Sequence, residues 1–388
     1  MRAVARVDLD AVRDNLVRIR DLAGSADVMA VVKADAYGHG MIEVARAVRE
    51  QDVAWLGVAL PSEALALRAS GDAGRILAWL WTPGDPAVEA CVAAEVDLSV
   101  SSADALAEVV AAARRTASMA RVHVKVDTGL TRNGVAFDEL PGVLAACRTG
   151  MDAGVVDVVG MWSHLADGDT PGADSVRIQR DRFEQALELA ATTGVRPSVR
   201  HLANSGALFA HPDCRYDLVR TGIAMYGLTP SPSLGSSGDL GLTPAMSLLA
   251  ELAHVKQVPA GTSVSYGWRW TAPAATQVGL VPVGYADGLP RAAGAPRADV
   301  PVEATVLGRR VPIVGTVAMD QCVVDLGIDS RAGVGTDVVL FGPGRQGECT
   351  ADDWAETIGT IGYEVVTRIG PRVPRHYVGR REGREGAP

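Results

Sequence analysis

From residue 11 to about residue 225 the chain repeats one unit, a short apolar run rich in β-branched residues followed by an Ala- and Leu-rich stretch. The runs are DVMAVV, VAWLGVA, RILAWLW, VDLSV, RVHVKVD, VVDVVGMWS, SVRHLA and RYDLVR. The stretches between them, such as SEALALRAS, ADALAEVVAAARR and RFEQALELAATT, carry the period of helices that bury one face, and AVRDNLVRIRDLAG places a helix ahead of the first run. A strand that returns through a helix runs parallel to the strand before it, so the repeat predicts a parallel sheet. Eight such units fit an α/β fold of the closed (β/α)8 TIM-barrel type, and an open doubly wound sheet is the alternative with the same rhythm.

The rhythm stops near SPSLGSSGDLGLTP (231–244), a Gly/Ser/Pro-rich stretch of linker composition. Short alternating segments follow: LLAELAHVKQV, TQVGLVPVGY, VEATVLGRRVPIVG, QCVVDL and DVVLFG, with little helical pattern before DDWAETIG. The expected organisation is a barrel over 10–235 and a mainly β domain over 236–388, joined by an N-terminal strand within 1–9.

A net charge of −9, with no arginines interleaved with aromatics, argues against a nucleic-acid face. Five scattered cysteines without C-x-x-C spacing fit a reducing compartment and no disulfide framework. No two histidines have metal-ligand spacing, so no metal is expected. The charged N-terminus MRAVARVDLDAVRDN lacks the apolar core of a signal peptide, and no apolar run reaches the ~20 residues of a membrane span, so the chain is expected to be cytoplasmic. The closing RREGREGAP reads as a solvated tail.

In a (β/α)8 barrel the chemistry sits at the C-terminal ends of the strands. The residues just past the proposed strands are Lys33, Trp81, Lys125 with Asp127, His164, Asn204 with Ser205, and Arg220 with Gly222. Lys33 ends the run MAVV before the bending loop ADAYGHG, in a chain with only two other lysines, Lys125 and Lys256. Where positive charge is otherwise spelled Arg, a strand-end Lys points to an amine that can lose its proton and attack a carbonyl. The loops ANSGA and RTGIAMYG, after strands seven and eight, have the serine and glycines of a barrel phosphate site. A phosphorylated ligand and a strand-end lysine together suggest a Schiff base with pyridoxal 5′-phosphate.

The motifs VVKADAYGHG, KVDTGLTRNG, WSHLA, HLANSGA, VRTGIAMYG, SVSYG, VGTVAMDQ and GYEVVTRIGPRVPR, in this order, resemble those of the alanine racemases, fold-type III pyridoxal-phosphate enzymes, along the whole chain. The resemblance implies that Lys33 carries the cofactor and that Tyr37, Ser205, Gly222, Ile223 and Tyr363 surround its phosphate, with Asn204 beside them. It implies that Arg220, near His164, faces the pyridine nitrogen. Tyr266, with Met319 and Asp320, would reach the site of a partner chain in a homodimer, and Arg132 with Met319 would bind the substrate carboxylate. In many members of the family the lysine matching Lys125 is carbamylated and orients that arginine. The implied activity is interconversion of L- and D-alanine, which supplies bacterial peptidoglycan.

Racemisation needs a proton removed from one face of a carbon and returned on the other, which two opposed bases accomplish. Lys33 and Tyr266 would be that pair. Free Lys and Tyr have pKa values of about 10.4 and 10, so both need depression; burial beside cations would provide it, with Arg220 and His164 the candidate cations for Tyr266. An arginine at the pyridine nitrogen leaves that nitrogen unprotonated. His39, His201 and His211 read as hydrogen-bonded loop or core groups. Trp268 and Trp270 depart from the expected pattern after SYG and have no account at this level. The rivals are a pyridoxal-phosphate carrier protein, a decarboxylase of the same fold type, a Schiff-base aldolase, and a racemase of serine or another small amino acid.

Overall fold

The structure, a computed structural model, describes residues 2–294 and 300–379; the RREGREGAP tail lies outside them. All eight predicted runs form strands: β2 (Asp27–Val31), β3 (Trp55–Val58), β4 (Arg75–Ala78), β5 (Asp97–Val100), β6 (Ala120–Lys125), β7 (Val156–Trp162), β8 (Val199–His201) and β9 (Leu218–Thr221). They pair in parallel in the order β8-β7-β6-β5-β4-β3-β2-β9. The remaining seam, β8 against β9, is tied by the Asp217 N–H on Arg200 O (3.1 Å) and the Arg220 N–H on Ala203 O (3.0 Å), so the barrel is nearly closed. An open doubly wound sheet is thereby excluded.

The helix Leu9–Ala23 shows how local chemistry sets the frame. Asp8 caps it, its Oδ1 accepting the N–H groups of Asp10 (3.0 Å) and Ala11 (3.1 Å), and Gly24 ends it at φ 65°. Its inward stripe includes one polar residue, Asn15. That amide donates to Met225 O and Thr243 O and accepts the Thr243 N–H, tying the helix to the end of the barrel.

Strand β1 (Ala3–Asp8) leaves the barrel and joins a second, nine-stranded sheet. There it lies between β10 (Met246–Glu251), antiparallel, and β19 (Arg375–Val378), parallel. The other members are β11 (His254–Val258), β14 (Thr276–Val281), β15 (Glu303–Val306), β16 (Arg309–Val314), β17 (Cys322–Asp325) and β18 (Asp337–Phe341), while β12 (Ser263–Val264) and β13 (Trp270–Thr271) form a separate hairpin. The segment LLAELAHVKQV divides into β10 and β11 because Leu252 N–H turns to Thr336 O and Ala253 N–H to Leu280 O. The helices Ala351–Ile358 and Gly362–Thr367 follow β18. The stretch 231–244 contains the short turn of helix Pro232–Leu234 rather than loop alone.

Candidate active site

Lys33 opens a left-handed turn at the end of β2. Ala34, Asp35 and Ala36 sit at φ 53–54° and ψ 46–51°, and Tyr37 at φ 54°. Each such residue costs roughly 1–2 kcal/mol in an L-peptide, so the turn persists only where neighbours enforce it. They do. Glu63 Oε1 accepts the Ala34 N–H (2.6 Å) and Asp35 Oδ1 accepts the Met41 N–H (2.8 Å). The second sheet presses from the other side, with Arg375 Nε donating to Gly38 O (2.9 Å). A Cβ on Gly38 would lie 2.5 Å from Val366 O, which explains the glycine.

The turn directs Lys33 and Tyr37 into a cavity of about 560 Å³ at the C-terminal mouth of the barrel, lined also by Lys125, Arg132, His164, Asn204, Ser205, Arg220, Gly222, Ile223 and Tyr363. Eleven of the sixteen candidate residues singled out in the sequence therefore converge, Trp81 and Asp127 not among them: Lys33, Tyr37, Lys125, Arg132, His164, Asn204, Ser205, Arg220, Gly222, Ile223 and Tyr363. Tyr266, Met319 and Asp320 do not line it. Tyr266 is 71% exposed and Met319 53% exposed on the second sheet's side, and Asp320 accepts from Arg372 (2.7 Å).

One end of the cavity is a set of donors. Ser205 Oγ accepts the Gly222 N–H (3.0 Å), which holds the loop after β8 against the loop after β9, and Asn204 Oδ1 caps the helix Ser205–Ala210 by accepting the Ala207 N–H (2.9 Å). A Cβ on Gly222 would lie 2.2 Å from the Tyr37 hydroxyl, so glycine is what lets that hydroxyl approach the loop. Burial holds the Tyr37 and Tyr363 phenols above their ordinary values, and both stay protonated donors. Neither hydroxyl has a hydrogen-bond partner among the described residues, and the first N–H groups of helices Ser205–Ala210 and Ile223–Tyr226 have no carbonyl to reach within their helices. This donor set fits a phosphate.

At the other end Arg220 is buried, its guanidinium 4.8 Å from the Trp162 ring. Nη1 donates to His201 O (3.0 Å) and His201 Nδ1 (3.2 Å), and Nη2 to Ser163 O (2.9 Å) and Leu202 O (3.0 Å). Of the five N–H groups only that on Nε lacks a partner among the described residues. Burial lowers the Arg220 pKa to about 9, which still leaves a cation at neutral pH.

The cations act on their neighbours. Burial, then Arg132, lowers the Lys33 pKa; Glu63 opposes and Arg220 adds to the lowering. Lys125, 4.6 Å above the Trp162 ring, falls to about 8 through burial and then Arg220 and Arg132. Burial, then Arg220, Arg132, Lys125 and Lys33, puts His164 well below its ordinary value. His164 is therefore neutral near pH 7, and the cationic help expected from it falls to the arginines.

The lining residues that the sequence reading did not single out include Trp79, Trp162 and Asn133. Trp79 faces the cavity in place of Trp81, because the Trp79 and Leu80 N–H groups both turn to Ala59 O (3.2 and 2.8 Å) and β4 ends at Ala78. The Trp81 indole instead donates to Ser99 O (3.0 Å). Trp162 and Asn133 also line the site; the tryptophan one residue before SHLA was the available signal. The other histidines behave as read: His39 Nδ1 lies 3.0 Å from Ala36 O and Tyr37 O, His201 joins Arg220, and His211 Nε2 meets Thr170 O (3.0 Å).

A (β/α)8 barrel with a strand-end amine, a buried cation and a phosphate-fitting loop pair at one mouth has the layout of a barrel enzyme. The relatives narrow the class. The family description "Alanine racemase, N-terminal domain" matches residues 7–230, and "Alanine racemase, C-terminal domain" matches residues 245–377. The alanine racemase of Streptomyces coelicolor is 52% identical over 386 residues, covering 97% of this chain and 96% of that protein, and that of Frankia casuarinae is 50% identical over 378 residues, covering 97% of each. The crystal structure of alanine racemase from D-cycloserine-producing Streptomyces lavendulae superposes with a TM-score of 0.95 at 49% identity, covering 98% of both chains. This chain belongs to the alanine racemase family.

Proposed function

We propose that the protein is a homodimeric, pyridoxal-phosphate-dependent enzyme that interconverts L-alanine and D-alanine by two bases and supplies D-alanine for peptidoglycan. The observation that carries this is the lysine amine of Lys33 in a cavity with phosphate donors at one end and a free guanidinium Nε–H at the other. When bound, pyridoxal phosphate would supply an electron sink that weakens the substrate's Cα–H bond. Ser205, Gly222, Ile223, Tyr37 and Tyr363 would hold its phosphate, with Asn204 supporting that loop, and Arg220 its ring nitrogen.

Lys33 Nζ, its pKa lowered by burial, takes or returns a proton on one face of the substrate carbon. Tyr266 Oη of the partner subunit serves the other face, which accounts for its exposure on this subunit. Arg132 and the Met319 backbone of the partner subunit bind the substrate carboxylate, beside the partner's Asp320. Lys125, at about 8, keeps an unprotonated fraction that carbon dioxide can carbamylate, giving Arg132 and Arg220 an anion to pair with. The cofactor-binding barrel spans 10–235, and the β domain of 236–388 takes in the N-terminal strand. No helix among the described residues is long and apolar enough to cross a membrane, and we place the enzyme in the cytoplasm.

The test is a racemisation assay over a panel of small amino acids, with borohydride used to fix the cofactor to the chain. Turnover of alanine above serine, and reduced cofactor on the peptide containing Lys33, are the expected results. Label on Lys125 or Lys256, or no turnover with cofactor present, overturns the proposal. Gly222→Ala probes the phosphate end. Its methyl would displace the Tyr37 hydroxyl, and pyridoxal phosphate should bind roughly tenfold or more weakly by absorbance titration. Unchanged affinity would remove Tyr37 and Gly222 from the phosphate site.

A further inference from the structure

Beneath the cavity a file of hydrogen-bonded side chains crosses the barrel interior from Arg220 to the opposite end. His201 Nδ1 lies 3.2 Å from Arg220 Nη1, His201 Nε2 lies 2.8 Å from His123 Nδ1, and His123 Nε2 lies 3.2 Å from Asp97 Oδ2. Asp97, His123 and His201 are all 0% exposed. Asp97, at the start of β5, also accepts from Arg75 Nη2 and, at 2.8 Å, from Arg121 Nε. The close approach of the imidazoles is built into the sheet: a Cβ on Gly160, in β7, would lie 2.1 Å from His123 Nδ1.

The direction of every bond follows from the ends. Arginine only donates, so His201 Nδ1 must accept and its proton sits on Nε2. That proton is donated to His123 Nδ1, which places the His123 proton on Nε2, donated in turn to a carboxylate. Burial favours the uncharged form of Asp97, but the His123 bond and the charges of Arg75 and Arg121 outweigh it and keep the carboxylate ionised. Among the described residues no carboxylate lies within ion-pair distance of Arg220, and Asp97 is the anion to which its donors are linked.

We propose that Asp97 is a positioning residue for Arg220, acting through His123 and His201 to fix both tautomers and hold the guanidinium. Without the carboxylate, either the His123 Nε2–H is a buried donor with no acceptor, or the protons shift and His201 presents Nδ1–H to a guanidinium that can only donate. The arrangement at Arg220 then ceases to be single. The consequence for the cofactor rests on pyridoxal phosphate occupying the cavity; the tautomers do not.

The experiment is nitrogen NMR of protein labelled in histidine, which reads each imidazole tautomer, together with absorbance titration by pyridoxal phosphate. Wild type should show Nε2–H on both His123 and His201; a proton on His201 Nδ1 overturns the proposal whatever the variants do. Asp97→Ala should lose that pattern at both rings, bind pyridoxal phosphate about tenfold more weakly and shift its absorption band. Asp97→Asn should keep the pattern, its oxygen turned to the side where Arg75 and His123 both donate. Arg121→Gln, which removes the ion pairs to Asp97 and Glu95 and leaves the Asp97 carboxylate, should match wild type. An Asp97→Ala protein with wild-type spectra and affinity, or an Arg121→Gln protein that reproduces the loss, overturns it. Should Asp97→Ala not fold, His123→Phe must give the same change at His201, and its absence overturns the proposal equally. A wild type that binds no pyridoxal phosphate would defeat the proposed function and leave the tautomer result standing.

Discussion

Tyr266→Phe is expected to abolish racemisation while leaving cofactor binding intact. The substitution keeps the ring and removes one hydroxyl, and in this chain the ring is exposed at the end of a hairpin rather than packed in a core. The backbone there is held independently of the hydroxyl: Thr316 Oγ1 donates to Tyr266 O (2.8 Å) and Ser265 Oγ to Thr316 O (2.6 Å), with Ser265 at φ 62°. Stability should therefore change little, and any loss reports chemistry. Resemblance to the family places Lys33 on the face that exchanges the proton of D-alanine and Tyr266 on that of L-alanine. Exchange of the α-proton of D-alanine with solvent deuterium should persist, since Lys33 can remove and return it alone. Exchange from L-alanine should fall ~10²–10⁴-fold, the usual contribution of a general base. Equal slowing of both enantiomers, with cofactor bound, would refute the two-base assignment and leave a single base or a relayed water.

The barrel was legible because its strands are buried on both faces and so read as continuous apolar runs between glycines and charged helices. Lys33 was legible because lysine is rare here. What was not legible depended on partners remote in sequence. Ala34, Asp35, Ala36 and Tyr37 carry no local sign of positive φ; Tyr37 is kept in place by rings at 5.0 Å (Tyr226) and 6.2 Å (Tyr363), the latter over three hundred residues on. Strand β19 exists because β1 offers it an edge, and β12 and β13 are two-residue strands set by a turn. The site reading had the same limit. His201 was seen as a core group, but nothing in the sequence joins it to Asp97 or to His123, whose ring occupies the room that Gly160 leaves. Trp268, 75% exposed at φ 47°, belongs to the hairpin that carries Tyr266, and the structure gives it no further role.

The claim that each site is built from two chains bears on the largest effect of all, the return of activity from two inactive proteins. Lys33→Ala removes the only amine at the end of β2 and should abolish turnover, leaving the left-handed turn to the contacts of Glu63, Asp35 and Arg375. Tyr266→Ala should abolish it through the other base. In a heterodimer of the two, one cavity lacks both groups, and the other joins an intact Lys33 to an intact Tyr266 supplied across the interface. Up to about half of the sites in an ideal heterodimer then function, a recovery far above either parent even when a base is worth ~10²–10⁴-fold. The decisive measurement is the rate of alanine racemisation by Lys33→Ala and Tyr266→Ala chains mixed under subunit exchange, with heterodimers counted by native mass spectrometry. Activity rising in proportion to the heterodimer is the predicted result; heterodimers present in quantity with no activity above the parents would contradict the shared site.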